Sequence, residues 1–222
     1  MIGGDPSWVT GGGLIAAGYL LGSISFSYLI VRVLLGIDIR TVGSGNPGAT
    51  NVLRVAGKGP ALLAFALDAG KGAAGVALAR WLDAGVAVAA LTGVAAVVGH
   101  MWPLYFGLRG GKGVATAAGT LALLVPLATA IALVLFIAVV AWKRWVSLGS
   151  VVVAAAFPLI VAGLGLAGLY GAGRWWLTAA SAAIGGLVVV KHRANLVRLR
   201  AGNEPKLGRG RAALEAPEES VE

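Results

Sequence analysis

Cysteine is absent from the 222 residues, which excludes disulfides and thiolate chemistry and leaves the redox compartment unread. Acidic residues are scarce, nine Asp and Glu against 18 Lys and Arg. Four of the nine are Glu215, Glu218, Glu219 and Glu222, so few remain elsewhere, and no pair is spaced for two-carboxylate or metal chemistry. No metal site or cofactor is expected. Charge of either sign is thin, 12% of residues against the quarter usual in a soluble domain. Although the net charge is +9, no basic, aromatic-interleaved soluble face exists to carry nucleic acid. The N-terminus lacks the basic start and cleavage site of a secretory signal, so the first apolar run is expected to remain as a helix.

What fills the chain is apolar: 58% of residues are hydrophobic, and the mean hydropathy is +0.87. Apolar spans read at about 12–35, 60–80, 84–99, 113–142, 148–170 and 174–190, most near the roughly 20 residues that cross a bilayer core. The stretch 113–142 is too long for one crossing and carries Pro126 near its middle. Charge placement chooses between a kinked helix and a hairpin. With the 37–59 loop cytoplasmic and a hairpin at Pro126, fourteen of the 18 basic residues fall on the cytoplasmic side. Arg80 and Arg174 then lie outside, and Arg32 and Lys71 within spans. A single crossing would export Lys143, Arg144 and the basic C-terminal segment, against the positive-inside rule. The expected fold is an all-α integral membrane protein of seven transmembrane helices, N-terminus outside and C-terminus cytoplasmic. Two of those helices are short, at about 20 and 25 Å, and need local bilayer thinning or burial among other helices. Residues 1–208 form one membrane domain, and 209–222 an acidic, disordered tail. Among the 35 glycines, the spacings Gly18-xxx-Gly22 and Gly168-xxx-Ala172 suit close helix packing.

The polar residues gather in islands. The first, GSGNPGATNVLR over 43–54, fits the dinucleotide pattern G-x-G-x-x-G, with Asp68 at the distance of a ribose-binding acid. No preceding strand or crossover unit accompanies it, so a dinucleotide fold is excluded. A P-loop fails as well, because neither Lys71 nor Lys112 is followed by Ser or Thr. Glycine-rich backbone binds anions without either fold, through successive N–H groups. Ser44, Asn46, Thr50 and Asn51 add polar donors, and Arg54 a bidentate fork.

The second island, GHMWPLYFGLRGGKGVAT, repeats the recipe around Lys112. The third holds Ser147 and Ser150, and the fourth runs from His192 through Asn195 and Arg198 to Gly202 and Glu204. On the hairpin topology all four share the cytoplasmic face, which implies a polyanionic substrate. Asp68 and Lys71, three apart within a span, read as an ion pair that pins their helix near the site. His100 reads as a capping or packing residue. His192 and Asn195, at helical spacing, read as facing the site.

These motifs, in order from about residue 14 to 208, resemble the bacterial acyl-phosphate:glycerol-3-phosphate acyltransferases. The resemblance implies an inner-membrane enzyme with its site facing the cytoplasm. It would move a fatty acyl group from acyl phosphate to the 1-hydroxyl of glycerol 3-phosphate, giving 1-acyl-glycerol 3-phosphate, the first acylation of phospholipid synthesis. By position it implies Ser44, Asn46, Thr50 and Arg54 as substrate contacts, with Gly45 and Gly48 shaping their loop and Asn51 beside them. It further implies Lys112 between Gly111 and Gly113, Ser147 or Ser150 at a phosphate, and His192 and Asn195 at the reacting groups. Arg198 and Glu204 support them, as do Asp68 and Lys71. The H-x4-D dyad of other glycerol-phosphate acyltransferases is missing, since Tyr105 and Val197 stand five residues after the two histidines. The competing reading is a membrane transporter for a phosphorylated anionic solute, which broken helices with anion-binding ends would suit.

Overall fold

The computed structural model describes residues 8–207. The acidic tail expected over 209–222 lies outside the described residues. Ten α-helices follow one another: α1 (Trp8–Gly22), α2 (Phe26–Leu35), α3 (Ala49–Val55), α4 (Lys58–Trp81), α5 (Gly85–Met101), α6 (Val114–Leu124), α7 (Pro126–Lys143), α8 (Val146–Leu166), α9 (Arg174–Lys191) and α10 (Arg193–Arg200). No strand occurs among the described residues. Six stretches are long and apolar enough to cross a bilayer: Val9–Leu35, Lys58–Trp81, Gly85–Phe106, Pro126–Lys143, Val146–Leu166 and Gly171–Lys191.

The seventh apolar helix, α6, has 11 residues and spans only about 16 Å. Val125 ends it, and Pro126 opens α7 at a first-turn position, where its missing N–H costs no hydrogen bond. Trp145, after α7, donates to Glu204, whose carboxylate accepts from Asn195, the residue that holds Lys112 before α6, so both ends of the α6–α7 pair are tied to the segment around Asn195–Glu204. Short length is tolerated because α6 is surrounded by protein: Thr116, Ala117, Gly119, Thr120, Leu121 and Leu124 are all buried. By contrast, α7 buries Ala128 and Ala132 and exposes Leu127, Ile131, Leu133, Val134 and Ile137, as a helix facing lipid does.

The expected continuous helix over 12–35 is broken. It ends at Gly22, and a turn at Ser23-Ile24-Ser25 separates it from α2. Apolar composition gives no sign of this break, because its cause comes from α4. Lys71 Nζ donates to the Ile24 carbonyl at 2.5 Å, taking up an acceptor that a continuous helix would have used itself. The same Nζ pairs with Asp68 Oδ1 at 2.8 Å, and Ser27 Oγ donates to Asp68 Oδ2 at 3.2 Å. The intramembrane ion pair is thus the fastening of α4 to the bent first span.

Small residues bring the other helices together. A Cβ at Gly18 or Gly22 would strike the carbonyl oxygens of Thr92 or Ala96 on α5, so only glycine permits this approach. Gly168 does not share that role. It lies in the turn after α8 with φ +92° and nothing within 4 Å of where a Cβ would stand, so its spacing to Ala172 serves a loop. Exposed Trp81, Trp175 and Trp176 mark the end of the bundle away from the polar islands, and exposed Trp142 marks the near end.

Candidate active site

The first glycine loop is built by Asn51. Its fully buried side chain reaches back from α3, accepting from Ser44 N at 2.9 Å and donating to Val42 O at 3.0 Å and Ile39 O at 3.2 Å. Upstream, Asp38 caps a short 3-10 turn and grips Arg40, whose Nη2 lies 2.7 Å from Asp38 Oδ2. Arg40 Nη1 also donates to the Phe106 carbonyl at 3.2 Å, tying this loop to the next.

The second loop turns back on the end of α5, where Gly111 N donates to His100 O at 3.1 Å. A Cβ at Gly111 would collide with the His100 ring and stand 2.8 Å from the Pro47 carbonyl, so the two glycine loops meet there backbone to backbone. Gly113, at φ +79°, then starts α6 and leaves Lys112 directed toward α10.

Lys112 Nζ donates to Asn195 Oδ1. Asn195 Nδ2 donates in turn to Glu204 Oε1 at 2.6 Å, and Arg198 Nε to Glu204 Oε2 at 2.8 Å. The segment after α10 is clasped onto the α7–α8 turn. Trp145 Nε1 donates to Glu204 O at 3.0 Å, and Leu207 N to Arg144 O at 2.7 Å. A cavity of about 530 Å³ opens among three of the islands, with Arg40 and Ser44 on one wall, Arg109 and Lys112 on a second, and Asn195 and Arg198 on a third. The third island does not line it but holds the Glu204 segment through Trp145.

A family model described as glycerol-3-phosphate acyltransferase matches residues 13–202 of this chain. The chain belongs to that family. A glycerol-3-phosphate acyltransferase of Halalkalibacterium halodurans is 47% identical over 198 residues, covering 88% of this chain and 95% of the relative. One of Pseudomonas aeruginosa is 47% identical over 189 residues, covering 84% and 94%. Two crystal structures of PlsY, an integral membrane glycerol 3-phosphate acyltransferase, share the fold. The glycerol 3-phosphate form gives a TM-score of 0.82 at 37% identity, over 89% of this chain and 96% of that one. The lysophosphatidic acid form gives 0.79 at 35%, over 92% and 99%. Family membership and the apolar helices make this chain a multi-pass membrane protein, and the acyltransferase resemblance read from its motifs stands.

Of the residues that the motifs single out, Ser44, Gly45, Asn46, Lys112, Asn195 and Arg198 line the cavity. Asn51 does not: both ends of its amide are committed to the loop, so it shapes the site rather than facing it. Gly48 opens α3, and Thr50 lies half-buried on its first turn. Ser150 Oγ donates to Val146 O at 2.9 Å along its own helix, whereas the buried Ser147 hydroxyl faces the Glu204 carboxylate. Of the two serines, Ser147 is therefore the one directed at the site. Asp68 and Lys71 are buried away from the cavity at the break in the first span. Four lining residues with polar or charged side chains were given no site role in the motif reading: Asp38, Arg40, Thr41 and Arg109. Arg40 was legible only as loop charge, and Arg109 only as one cation of the second island, since nothing in their spacing told a loop cation from a cavity wall.

The electrostatics follow from crowding cations in a half-buried space. Burial pushes Lys112 down to about 8; Glu204 opposes that shift, while Arg198 and Arg54 add to it. Burial also draws Arg54 below its usual value, and its half-buried guanidinium has no hydrogen-bond or ion-pair partner among the described residues. Burial works to raise the Glu204 carboxyl, but the nearby Ser147 hydroxyl, the hydrogen bonds from Asn195 and Arg198, and the Arg198 charge outweigh it and hold the group below its usual value. His192 is pushed down to about 4 by burial and by Lys112. Its Nδ1 lies 2.8 Å from the Val188 carbonyl, which can only accept, so Nδ1 carries the proton and Nε2 keeps a free lone pair.

Proposed function

We propose that the chain transfers a fatty acyl group from acyl phosphate to the 1-hydroxyl of glycerol 3-phosphate, giving 1-acyl-glycerol 3-phosphate and phosphate, at the cytoplasmic face of a bacterial inner membrane. The observation that carries this reading is the cavity itself, where Lys112, held by Asn195, stands with Arg40, Arg109 and Arg198 beside glycine-rich backbone; Arg54 does not line it but lies near enough to act on the Lys112 charge. Both substrates bring a phosphate, and the apolar bundle supplies the lipid environment an acyl tail needs. Seven crossings, with the polar islands and most basic residues on the cytoplasmic side and Arg80 and Arg174 outside, accord with this placement.

The reaction asks little covalent chemistry of the protein. The 1-hydroxyl oxygen attacks the acyl carbonyl carbon, the bond from that carbon to the phosphate oxygen breaks, and phosphate departs with the electron pair. Lys112 and Arg54 hold phosphate oxygens, while Ser44, Asn46 and the loop N–H groups stabilise the oxyanion. With its basicity lowered to about 4, His192 is a poor acceptor for the hydroxyl proton, which passes to the departing phosphate. His192 instead offers its Nε2 lone pair to orient the attacking hydroxyl.

The test is direct. Purified protein given acyl phosphate and glycerol 3-phosphate should yield lysophosphatidate and phosphate one for one, and acyl thioesters should not replace the donor. Product from a thioester with none from acyl phosphate would reverse the donor assignment. Glycerol 3-phosphate flux into sealed vesicles without donor would restore the transporter reading.

A further inference from the structure

His100 is buried at the end of α5 and takes no part in the reaction described above. Its imidazole sits between two features that are far apart in the chain. On one side, Nδ1 lies 3.6 Å from Asp68 Oδ1, the carboxylate already paired with Lys71 and bonded by Ser27. On the other, the Nε2 edge lies against Gly111, in the space a Cβ there would need. The backbone of His100 meets the same loop, since its carbonyl accepts from Gly111 N and would be struck by a Cβ at Gly110.

The rest of the loop shows why this contact matters. Its early part is fastened by Lys191 Nζ to Met101 O at 2.8 Å, by Tyr19 Oη to Trp102 O at 2.9 Å, and by Arg40 to Phe106 O. From Arg109 to Gly113 no side chain from elsewhere donates to the backbone among the described residues. The surface that sets the height of Gly110-Gly111, and with it the root of Lys112, is the His100 ring resting on Asp68. An apolar residue would fill the volume, but it would have no attraction to a buried carboxylate to fix its edge.

We infer that His100 is a positioning residue, braced by Asp68, that holds the Gly110–Lys112 backbone at the height where Lys112 reaches substrate phosphate. This rests on the acyltransferase reading. The intramembrane ion pair thereby has two duties, to pin α4 to the bent first span and to seat the ring beneath the phosphate loop.

A double-mutant cycle separates this from packing. Displacing a substrate-holding group by an ångström can cost roughly a hundredfold, so His100→Asn should lower kcat/KM for glycerol 3-phosphate by about 10- to 100-fold. In a Lys112→Ala background the same change should cost less than about threefold, because contacts acting through one group do not add. His100→Gln, whose amide reaches the Nε2 edge, should recover part of the loss. Equal losses in both backgrounds, or no loss, would overturn the inference. A second arm needs no turnover. A nitroxide on Arg109→Cys should gain mobility when His100→Asn is added, while one on Arg200→Cys should not. If His100→Asn yields no folded protein, His100→Gln replaces it in both arms, and failure of both variants to fold would assign the ring to packing and end the proposal. If the wild type makes no product from acyl phosphate, the function reading fails by itself, and the nitroxide arm still decides the positioning.

Discussion

Lys112 lends itself to a quantitative test, because its ammonium titrates within reach of ordinary assays. Burial and the neighbouring Arg198 and Arg54 bring it to about 8 in the free protein. A phosphate dianion favours the charged form, so binding raises the lysine pKa, and affinity falls as pH rises through the free-protein value. A group with that pKa is about nine-tenths protonated at pH 7 and about one-tenth at pH 9, so kcat/KM for glycerol 3-phosphate should drop about tenfold between them. The floor is set by the contact itself, about 1.5–3 kcal/mol for a hydrogen bond to a charged group, or roughly 10- to 150-fold. Lys112→Ala should sit at that floor at every pH. Lys112→Arg should lose the alkaline limb, because a guanidinium stays charged, while its plateau falls below wild type because the fork cannot reproduce the bond to Asn195. Initial rates from pH 6.5 to 9.5 at saturating donor measure all three. An alkaline limb that survives unchanged in Lys112→Arg would refute the assignment, as would a nearly active Lys112→Ala.

Three further outcomes are expected. Arg54→Ala should lose roughly 10- to 150-fold in kcat/KM with no loss of folded protein, since its guanidinium has no protein partner to abandon; an unfolded variant or an unchanged rate would argue against a phosphate ligand. His192→Gln should retain more activity than His192→Ala and keep the wild-type acidic limb, because general-base catalysis worth about 10²–10⁴-fold is not being removed; loss of that limb would make the histidine the base. A single cysteine at position 46, 109 or 203 should react with an impermeant maleimide only from the cytoplasmic side and one at Ala172 only from outside, and the reverse pattern would invert the topology.

The polar islands could be read from sequence because their glycines and cations interrupt an otherwise apolar chain. The helix break at Pro126 was readable from the proline within an overlong apolar run, and the Gly18–Gly22 packing through spacing. What escaped the sequence depends on partners distant along the chain. Ser23 and Ser25 do not break a helix by themselves; Lys71 and Asp68, arriving from α4, stabilise the break. Asn51 carries the polar amide expected of a substrate ligand, and only the course of residues 39–44 shows that both its ends are already bonded. Asp68 and His100, 32 positions apart, fit no local dyad spacing, yet antiparallel α4 and α5 set them side by side.

The bend at Ser23–Ser25 has a consequence for how the molecule is made. Residues 9–35 precede α4 in the chain and so reach the bilayer before Lys71 does. During that interval the Ile24 carbonyl has no ammonium to meet, and in hydrocarbon an unmatched backbone carbonyl costs several kcal/mol. The nascent segment therefore enters as one unbroken helix that satisfies its own backbone. It opens into α1 and α2 when α4 inserts and presents Lys71, so the last step in shaping the N-terminal third waits on translation of the second crossing.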